Sequence, residues 1–294
     1  MKKSVLFFLF LFVRSFTMVF GATTEGDTIF WGGIKKSIEQ RVVVDSAQYG
    51  VFYRFSHKAL HEGDTVSMTD TMLLVLGSYG SLFLDPYYRE RVQKWQKSSL
   101  ALARKANGAG DLPLEEMLEL SKASDNYLDG NHGDPVQIYK DIKTHSVTSV
   151  LVYKGDVECS QDISSYSSWI LSEDTAMVFN YPCLTATGLF GGRNYKAWFT
   201  TEIPISDGPW KWSGLPGLIL KVEDENNCFC FEAIGLEWYQ HAYILKDNVD
   251  YESCSLEQFN KMAEKSRSEN FGCFMHDGLI YWLTVKPYKY LLME

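Results

Sequence analysis

The fold is decided by a stretch of sixteen residues, LILKVEDENNCFCFEA, at positions 218–233. Apolar side chains at Leu218, Leu220 and Val222 recur at every second position, as they do on the buried face of a β-strand. A second alternating run follows, and the Glu-Asn-Asn sequence at 225–227 supplies residue types that favour a turn between the two. The stretch therefore predicts an antiparallel hairpin.

Strand-like runs rich in β-branched and aromatic residues lie on both sides of this hairpin, and strands that follow strands indicate a largely antiparallel sheet. A helical pattern begins at Asp85-Pro86, where Asp suits the N-cap and Pro the first helical turn. A second pattern covers residues 255–268. We therefore expect a mainly β fold with a few helices (α+β), built as a curved antiparallel sheet or half-barrel with a helical insert near residues 86–125. The expected strands are 41–44, 49–55, 71–76, 81–84, 146–153, 176–181, 195–202, 217–223, 228–233 and 279–286.

The N-terminal segment has the features of a secretory signal peptide. Lys2 and Lys3 precede an apolar run at 5–13, and the small residue Gly21 stands before the expected cleavage point. We expect residues 1–21 to be the signal peptide and residues 22–294 to form one β-rich domain without a membrane span. Export would place this domain in the periplasm or the cell envelope.

The charge balance argues against nucleic acid as a partner. The 294-residue chain has 28 Lys and Arg against 37 Asp and Glu, a formal net charge of −9. Residues 1–21 hold three of the basic residues and none of the acidic ones, so residues 22–294 carry −12. A surface of this sign repels phosphate backbones.

Six cysteines follow the signal segment: Cys159, Cys183, Cys228, Cys230, Cys254 and Cys273. An even number in an exported chain allows up to three disulfides, although some of these thiols could instead be buried and free. Cys228 and Cys230 are two residues apart on one strand, so their side chains share a face. They could be soft ligands for copper or zinc, or each could pair with another cysteine across the sheet.

Motifs of known catalytic sites are missing from the sequence. It has no Gly-x-Ser-x-Gly, no His-Glu-x-x-His, no P-loop and no dinucleotide-binding glycine pattern. His57 and His61 have a spacing that suits a metal only on a helix, and we expect them to be surface side chains. The sequence indicates neither an enzyme nor a cofactor, and a hydrolase of an undescribed kind stays open as an alternative.

Proline, glycine and tryptophan concentrate in residues 181–222. This segment could form an aromatic-walled groove for a peptide, a lipid or a carbohydrate, or it could be a rigid turn in which Arg193 pairs with Glu202 while the indole rings pack. Prolines and glycines here break strand pairing and permit close backbone approach. The candidate ligand-binding residues are Arg193, Trp198, Glu202, Trp210, Lys211 and Trp212, and the structural motif is Gly214, Leu215, Pro216 and Gly217.

The run Gly-Leu-Pro-Gly-Leu-Ile at 214–219 resembles the signature of the GLPGLI family of exported Bacteroidetes proteins. The resemblance covers about 40 residues and includes Gly192-Arg193, the Ala-Trp-Phe-Thr at 197–200 and the Gly-Pro-Trp-Lys at 208–211. The family usually has a lysine before an Ala-Thr pair that follows a cysteine. This chain has no lysine there, since its run at 183–187 is Cys-Leu-Thr-Ala-Thr. The resemblance implies export and a β-rich envelope protein, but it implies no biochemical activity.

Together these observations predict an exported, non-catalytic cell-envelope protein that binds or helps to assemble a peptide, lipid or protein partner. A first alternative is an envelope metal-handling or redox protein that uses Cys228 and Cys230. A second alternative is a hydrolase. The sequence specifies neither the ligand nor the oligomeric state.

Overall fold

The computed structural model describes residues 28–30, 41–61, 64–88, 90, 133–152, 156–162, 168–268, 271–276, 279–284 and 289–290. Strands dominate these residues, as the sequence predicts. The strands are β1 (Thr28–Phe30), β2 (Arg41–His61), β3 (Asp64–Leu76), β4 (Gly80–Leu84), β5 (Val136–Asp141), β6 (Ser146–Val152), β7 (Asp156–Asp162), β8 (Trp169–Val178), β9 (Tyr181–Phe190), β10 (Arg193–Thr200), β11 (Leu218–Asp224), β12 (Phe229–Asp247), β13 (Glu252–Ser253), β14 (Phe271–His276), β15 (Leu279–Thr284) and β16 (Lys289–Tyr290).

Fourteen of the described strands form one sheet, in the order β13-β7-β6-β5-β4-β3-β2-β12-β11-β10-β9-β8, with β1 beside β12 and β16 beside β2. Neighbouring strands are antiparallel except in the pairs β1–β12 and β13–β7. The sheet is open, since its terminal strands β13 and β8 do not pair with each other. Strands β14 and β15 form a separate hairpin. The mainly β, antiparallel prediction is confirmed.

Tight turns join the strands at the β8 end of the sheet. The β8–β9 turn has Phe179 and Asn180 at φ 47° and 65°, and the β9–β10 turn has Gly191 and Gly192 at 53° and 78°. Two consecutive residues with positive φ give a turn whose twist matches that of the strands it joins. The predicted hairpin also forms, with Asn227 at φ 51° in the turn between β11 and β12.

The core lies on both faces of the central strands. On the face that we call the inner face, Tyr53, Ala197, Phe199 and Phe231 are buried. A second buried cluster joins β3, β4 and β5 to the distant halves of β2 and β12, which include Ala47, Ala242 and Ile244. The long strands β2 and β12, whose pairing has several register shifts, therefore contribute to both clusters.

The helix α1 (Leu256–Ser268) forms where the sequence predicts it. Ser255 caps its start: the Ser255 Oγ accepts the Gln258 N–H at 3.3 Å, and the Gln258 side chain accepts the Ser255 N–H at 3.0 Å. Phe259 and Ala263 bury the apolar side of α1 in the inner core.

The helical insert predicted near 86–125 lies mostly outside the described residues. At its start, the Asp85 carboxylate accepts the Tyr87 backbone N–H at 2.9 Å, which agrees with the predicted cap. No helix in the part of the chain that the structure describes is long and apolar enough to cross a membrane.

Candidate functional site

The β10–β11 loop (residues 201–217) carries most of the Pro-, Gly- and Trp-rich segment and lies on the inner face. Trp212 is fully buried, with ring centroids 5.0 Å from Tyr195 and 5.6 Å from Phe231. Trp210 packs edge-on against Trp212 at 4.9 Å, and Leu215 is buried beside them. The aromatic concentration read from the sequence is therefore core packing for two of its three indoles.

An ion pair inside the protein fastens this loop to the far part of the sheet. The Nζ of Lys140, on β5, contacts the carboxylate of Asp207, and both side chains are almost fully buried. Lys140 also donates to the Gly208 carbonyl at 2.7 Å and the Trp212 carbonyl at 3.3 Å. Burial lowers the pKa of Lys140, although the neighbouring Asp207 opposes that shift.

The Asp207 carboxylate is satisfied from three sides. Besides Lys140, it accepts the Ser81 hydroxyl from β4 at 2.6 Å and the Gly208 N–H at 2.7 Å. Strands β3, β2 and β12 separate β4 from β11 in the sheet order. The loop therefore crosses three strands of the inner face, and the contact with β4 and β5 requires the sheet to curve.

The end of the loop depends on two glycines. Gly214 has φ +88°, a conformation that favours glycine. At Gly217 a Cβ would collide with the backbone carbonyl of Thr200, so the chain returns to β11 through a space too small for a side chain. Within the structural motif, Leu215 and Gly217 are buried, whereas Gly214 and Pro216 are exposed.

The six candidate ligand-binding residues do not share one surface. Trp210, Lys211 and Trp212 are buried, whereas Glu202 is exposed in the loop. Arg193 pairs with the buried Asp224 at 3.5 Å, so its predicted pairing with Glu202 is replaced. These positions remain candidates, but they do not enclose a common cleft.

Trp198 lies on the opposite, outer face, which we define by the residues Arg54, Trp198, Lys221 and Glu232. The ammonium groups of Lys221 and Lys196 lie 4.5 and 5.3 Å from the centroid of the Trp198 ring. Lys221 also contacts Glu223 at 2.7 Å, and this hydrogen bond helps to raise the pKa of Lys221 against the effect of burial. The outer face is thus a platform of paired charges around one half-buried indole.

A groove of about 680 Å³ opens beside this platform. One side presents Ile170 and Leu189, which are 72% and 63% exposed, and the other side presents Glu223 and Glu225. We call it the outer groove; its lining residues are Ser168, Ile170, Thr187, Gly188, Leu189, Asn194, Tyr195, Lys196, Glu223, Asp224, Glu225 and Asn227. Sequence reasoning missed this groove, because its walls come from four strands and only the pairing register brings them together.

Among the cysteines with described side chains, no two lie at disulfide distance, and Cys183, Cys228 and Cys230 are free thiols. Burial raises the pKa of both Cys183 and Cys230 to about 11. The thiolate is the form that binds metal, so a metal at Cys230 would have to displace the thiol proton. No group of three or more potential metal-ligating residues occurs in the described part of the chain. The side chains of Cys159 and Cys273 lie outside what the structure describes.

His57 corrects the expectation of a surface histidine. It is buried on the inner face, stacks on Phe55 at 4.5 Å, and its Nε2 lies 3.0 Å from the Asp70 carboxylate. The strand continues through His57, whose side chain alternates inward with Tyr53 and Phe55. That period of two, visible from residue 51, is the signal that predicts its burial; the side chain of His61 is outside the described set.

Comparison with known proteins gives a family match without a function. Residues 191–221 match the model of a family described as a protein of unknown function (Porph_ging). No curated protein matches the chain. Two crystal structures of PNGF-II, in space groups P21 and C2, are similar with 14% identity and TM-scores of 0.48 and 0.47. The similarity covers 78% of this chain and 34% of theirs, so the chain spans about a third of the length of those proteins.

Proposed function

We propose that this chain is an exported, non-catalytic protein of the cell envelope that binds a polypeptide segment of a partner in the outer groove. The signal-like residues 1–21 support export. The run at 214–219 supports the finer assignment to the GLPGLI family, with which the match over residues 191–221 is compatible. Neither observation supplies a ligand, so the groove carries the functional part of the proposal.

The chemistry of the groove favours a segment with an apolar side chain next to a basic one. Its volume lies within the range of small-ligand pockets, roughly 300–1,000 Å³. Ile170 and Leu189 offer an apolar wall to one side chain, and the other wall presents the carboxylate of Glu225 beside that of Glu223, which also contacts Lys221. The Glu225 carboxylate is oriented by Asn194, which donates to it at 2.9 Å. The acidic net charge of the chain attracts the same basic partner over a longer range.

An array of immobilised peptides of about ten residues tests this proposal. Each peptide places Leu beside Lys, and a matched series places Leu beside Glu. We expect the labelled protein to bind the Leu–Lys series, and Leu189→Asp or Glu223→Lys to weaken that binding about tenfold, as the loss of about 1.5 kcal/mol of apolar or charge contact implies. Glu252→Lys makes the same charge change on β13, at the other end of the sheet, and is the control.

Equal binding of the two peptide series would overturn the proposal. So would a loss of binding in Glu252→Lys as large as the loss in Glu223→Lys, because net charge and not the groove would then explain the attraction. Circular dichroism of each variant checks that the fold is retained.

A further inference from the structure

Strand β8 ends the sheet, and its outer edge has no partner strand among the described residues. A register shift between Ser172 and Thr175 divides β8 into two arms, with Glu173 and Asp174 in the bulge between them. Bulges and charges are common on sheet edges because they limit uncontrolled pairing. This edge therefore carries acidic groups at its centre, between two arms that have no partner strand on that side among the described residues.

The second arm of β8 comprises residues 175–178. Pro182, on the neighbouring strand, shows which backbone groups of this arm are free to pair with another strand. Met177 is paired with Pro182 across the antiparallel β8–β9 ladder. Proline has no N–H, so this pair cannot be one that exchanges two hydrogen bonds, and the Met177 N–H and C=O must point away from β9. Thr175 is two residues earlier and has the same orientation. Both residues thus direct their backbone N–H and C=O to the side of β8 that faces away from β9.

The side chains of this arm add an apolar contact to the backbone groups. Met177 is 67% exposed, which is unusual for a long apolar side chain on an ordered strand. The adjacent bulge is acidic, and among the described residues a cation lies near Asp174 alone of its two carboxylates, the Lys196 ammonium at 3.4 Å. The edge thus combines backbone groups that can pair with a strand, the apolar side chain of Met177 and the carboxylates of the bulge.

We propose that the second arm of β8 docks an extended segment of a different protein, which adds to the sheet as a further strand. The segment carries a basic residue opposite Glu173 and Asp174 and an apolar residue against Met177. A second copy of this chain is the less suitable occupant, because full-length antiparallel pairing of two β8 strands brings their central acidic residues together. The interface uses the second arm of β8, whereas Ile170 of the outer groove lies on the first arm, and the inference goes beyond the proposed function.

The test uses the full mature chain and a peptide of about nine residues in which Thr and Val alternate around one central Lys. We expect the peptide to slow amide exchange at Thr175 and Met177, and Met177→Pro to weaken binding about fivefold to tenfold, as the loss of one main-chain hydrogen bond implies. Met177→Leu keeps the N–H and is the matched control. The same peptide with a central Glu should bind wild type more weakly, and Glu173→Lys should reverse that preference.

Three results would overturn the proposal. Binding that is equal in Met177→Pro and Met177→Leu would exclude main-chain pairing at this edge. An unchanged preference in Glu173→Lys would exclude the acidic contact. Protection of the β8 amides that rises with protein concentration without peptide would show that a second copy occupies the edge. The groove variants Leu189→Asp and Glu223→Lys should leave this binding intact, so the two proposals can fail separately.

Discussion

Replacement of Lys140 by Met should lower the free energy of unfolding by about 3–5 kcal/mol, the cost of leaving one partner of a buried ion pair uncompensated. The Asp207 carboxylate keeps its donors from Ser81 and Gly208 but loses its cation. The carbonyl oxygens of Gly208 and Trp212 also lose their Nζ donor. Each buried acceptor left unsatisfied would cost about 1–3 kcal/mol, of which movement of the loop recovers a part.

Urea unfolding followed by tryptophan fluorescence measures this loss, because Trp210 and Trp212 lie in the loop that Lys140 holds. The midpoint should fall while the dependence on urea stays unchanged. Lys261→Met is the matched control: Lys261 forms an exposed pair with Glu257 at 2.7 Å, which is worth only about 0.3–0.5 kcal/mol.

A double variant separates the ion pair from its surroundings. Lys140→Met combined with Asp207→Leu removes both charges, and it should be less destabilised than the sum of the single variants, with a coupling of at least about 1 kcal/mol. If Lys140→Met costs no more than Lys261→Met, the ion pair does not fasten the loop and our account of the curved sheet is wrong.

Three further predictions concern the loop and the outer face. Gly217→Ala should lower the free energy of unfolding by about 1–3 kcal/mol, since its Cβ collides with the Thr200 carbonyl; an unchanged urea midpoint would refute this. Alkylation of Cys230 by iodoacetamide should accelerate about tenfold per pH unit from pH 8 to 10, because its thiol is mostly protonated below a pKa of about 11; a rate independent of pH would contradict it. Trp198→Ala should lower the free energy of unfolding by about 1 kcal/mol, because two cation–π contacts are lost, and this loss should be smaller in high salt.

Features that depend on residues close together in the sequence could be predicted, whereas features that depend on contacts between distant residues could not. The alternation within 218–233 and the turn residues at 225–227 act within one hairpin, so the hairpin was predictable. The packing of the indole rings was one of the two alternatives that the sequence left open, because a segment rich in Pro and Gly is also typical of a surface loop. This loop can enter the core because Lys140 and Trp169, which are distant in sequence, satisfy its carbonyl groups.

The same distinction applies to the candidate site. Trp198 and the charges around it alternate outward along their strands, and that period is visible in the sequence. The outer groove needs Ile170 on β8 and Glu223 on β11 to lie on the same row, which depends on three successive strand registers, β8–β9, β9–β10 and β10–β11. Because a shift by one residue would turn either side chain to the other face, no local pattern could have revealed the groove.

The β10–β11 loop also contacts the edge strand that carries the second proposed binding surface. The indole N–H of Trp169, at the start of β8, donates to the Ser213 carbonyl of the loop at 2.9 Å. The loop therefore holds the first residue of the edge strand as well as β4 and β5. The family match at 191–221 contains this loop and the groove residues Asn194, Tyr195 and Lys196. The groove walls and β8 lie outside it, so the match covers the packed loop and not the contacts of either proposed partner.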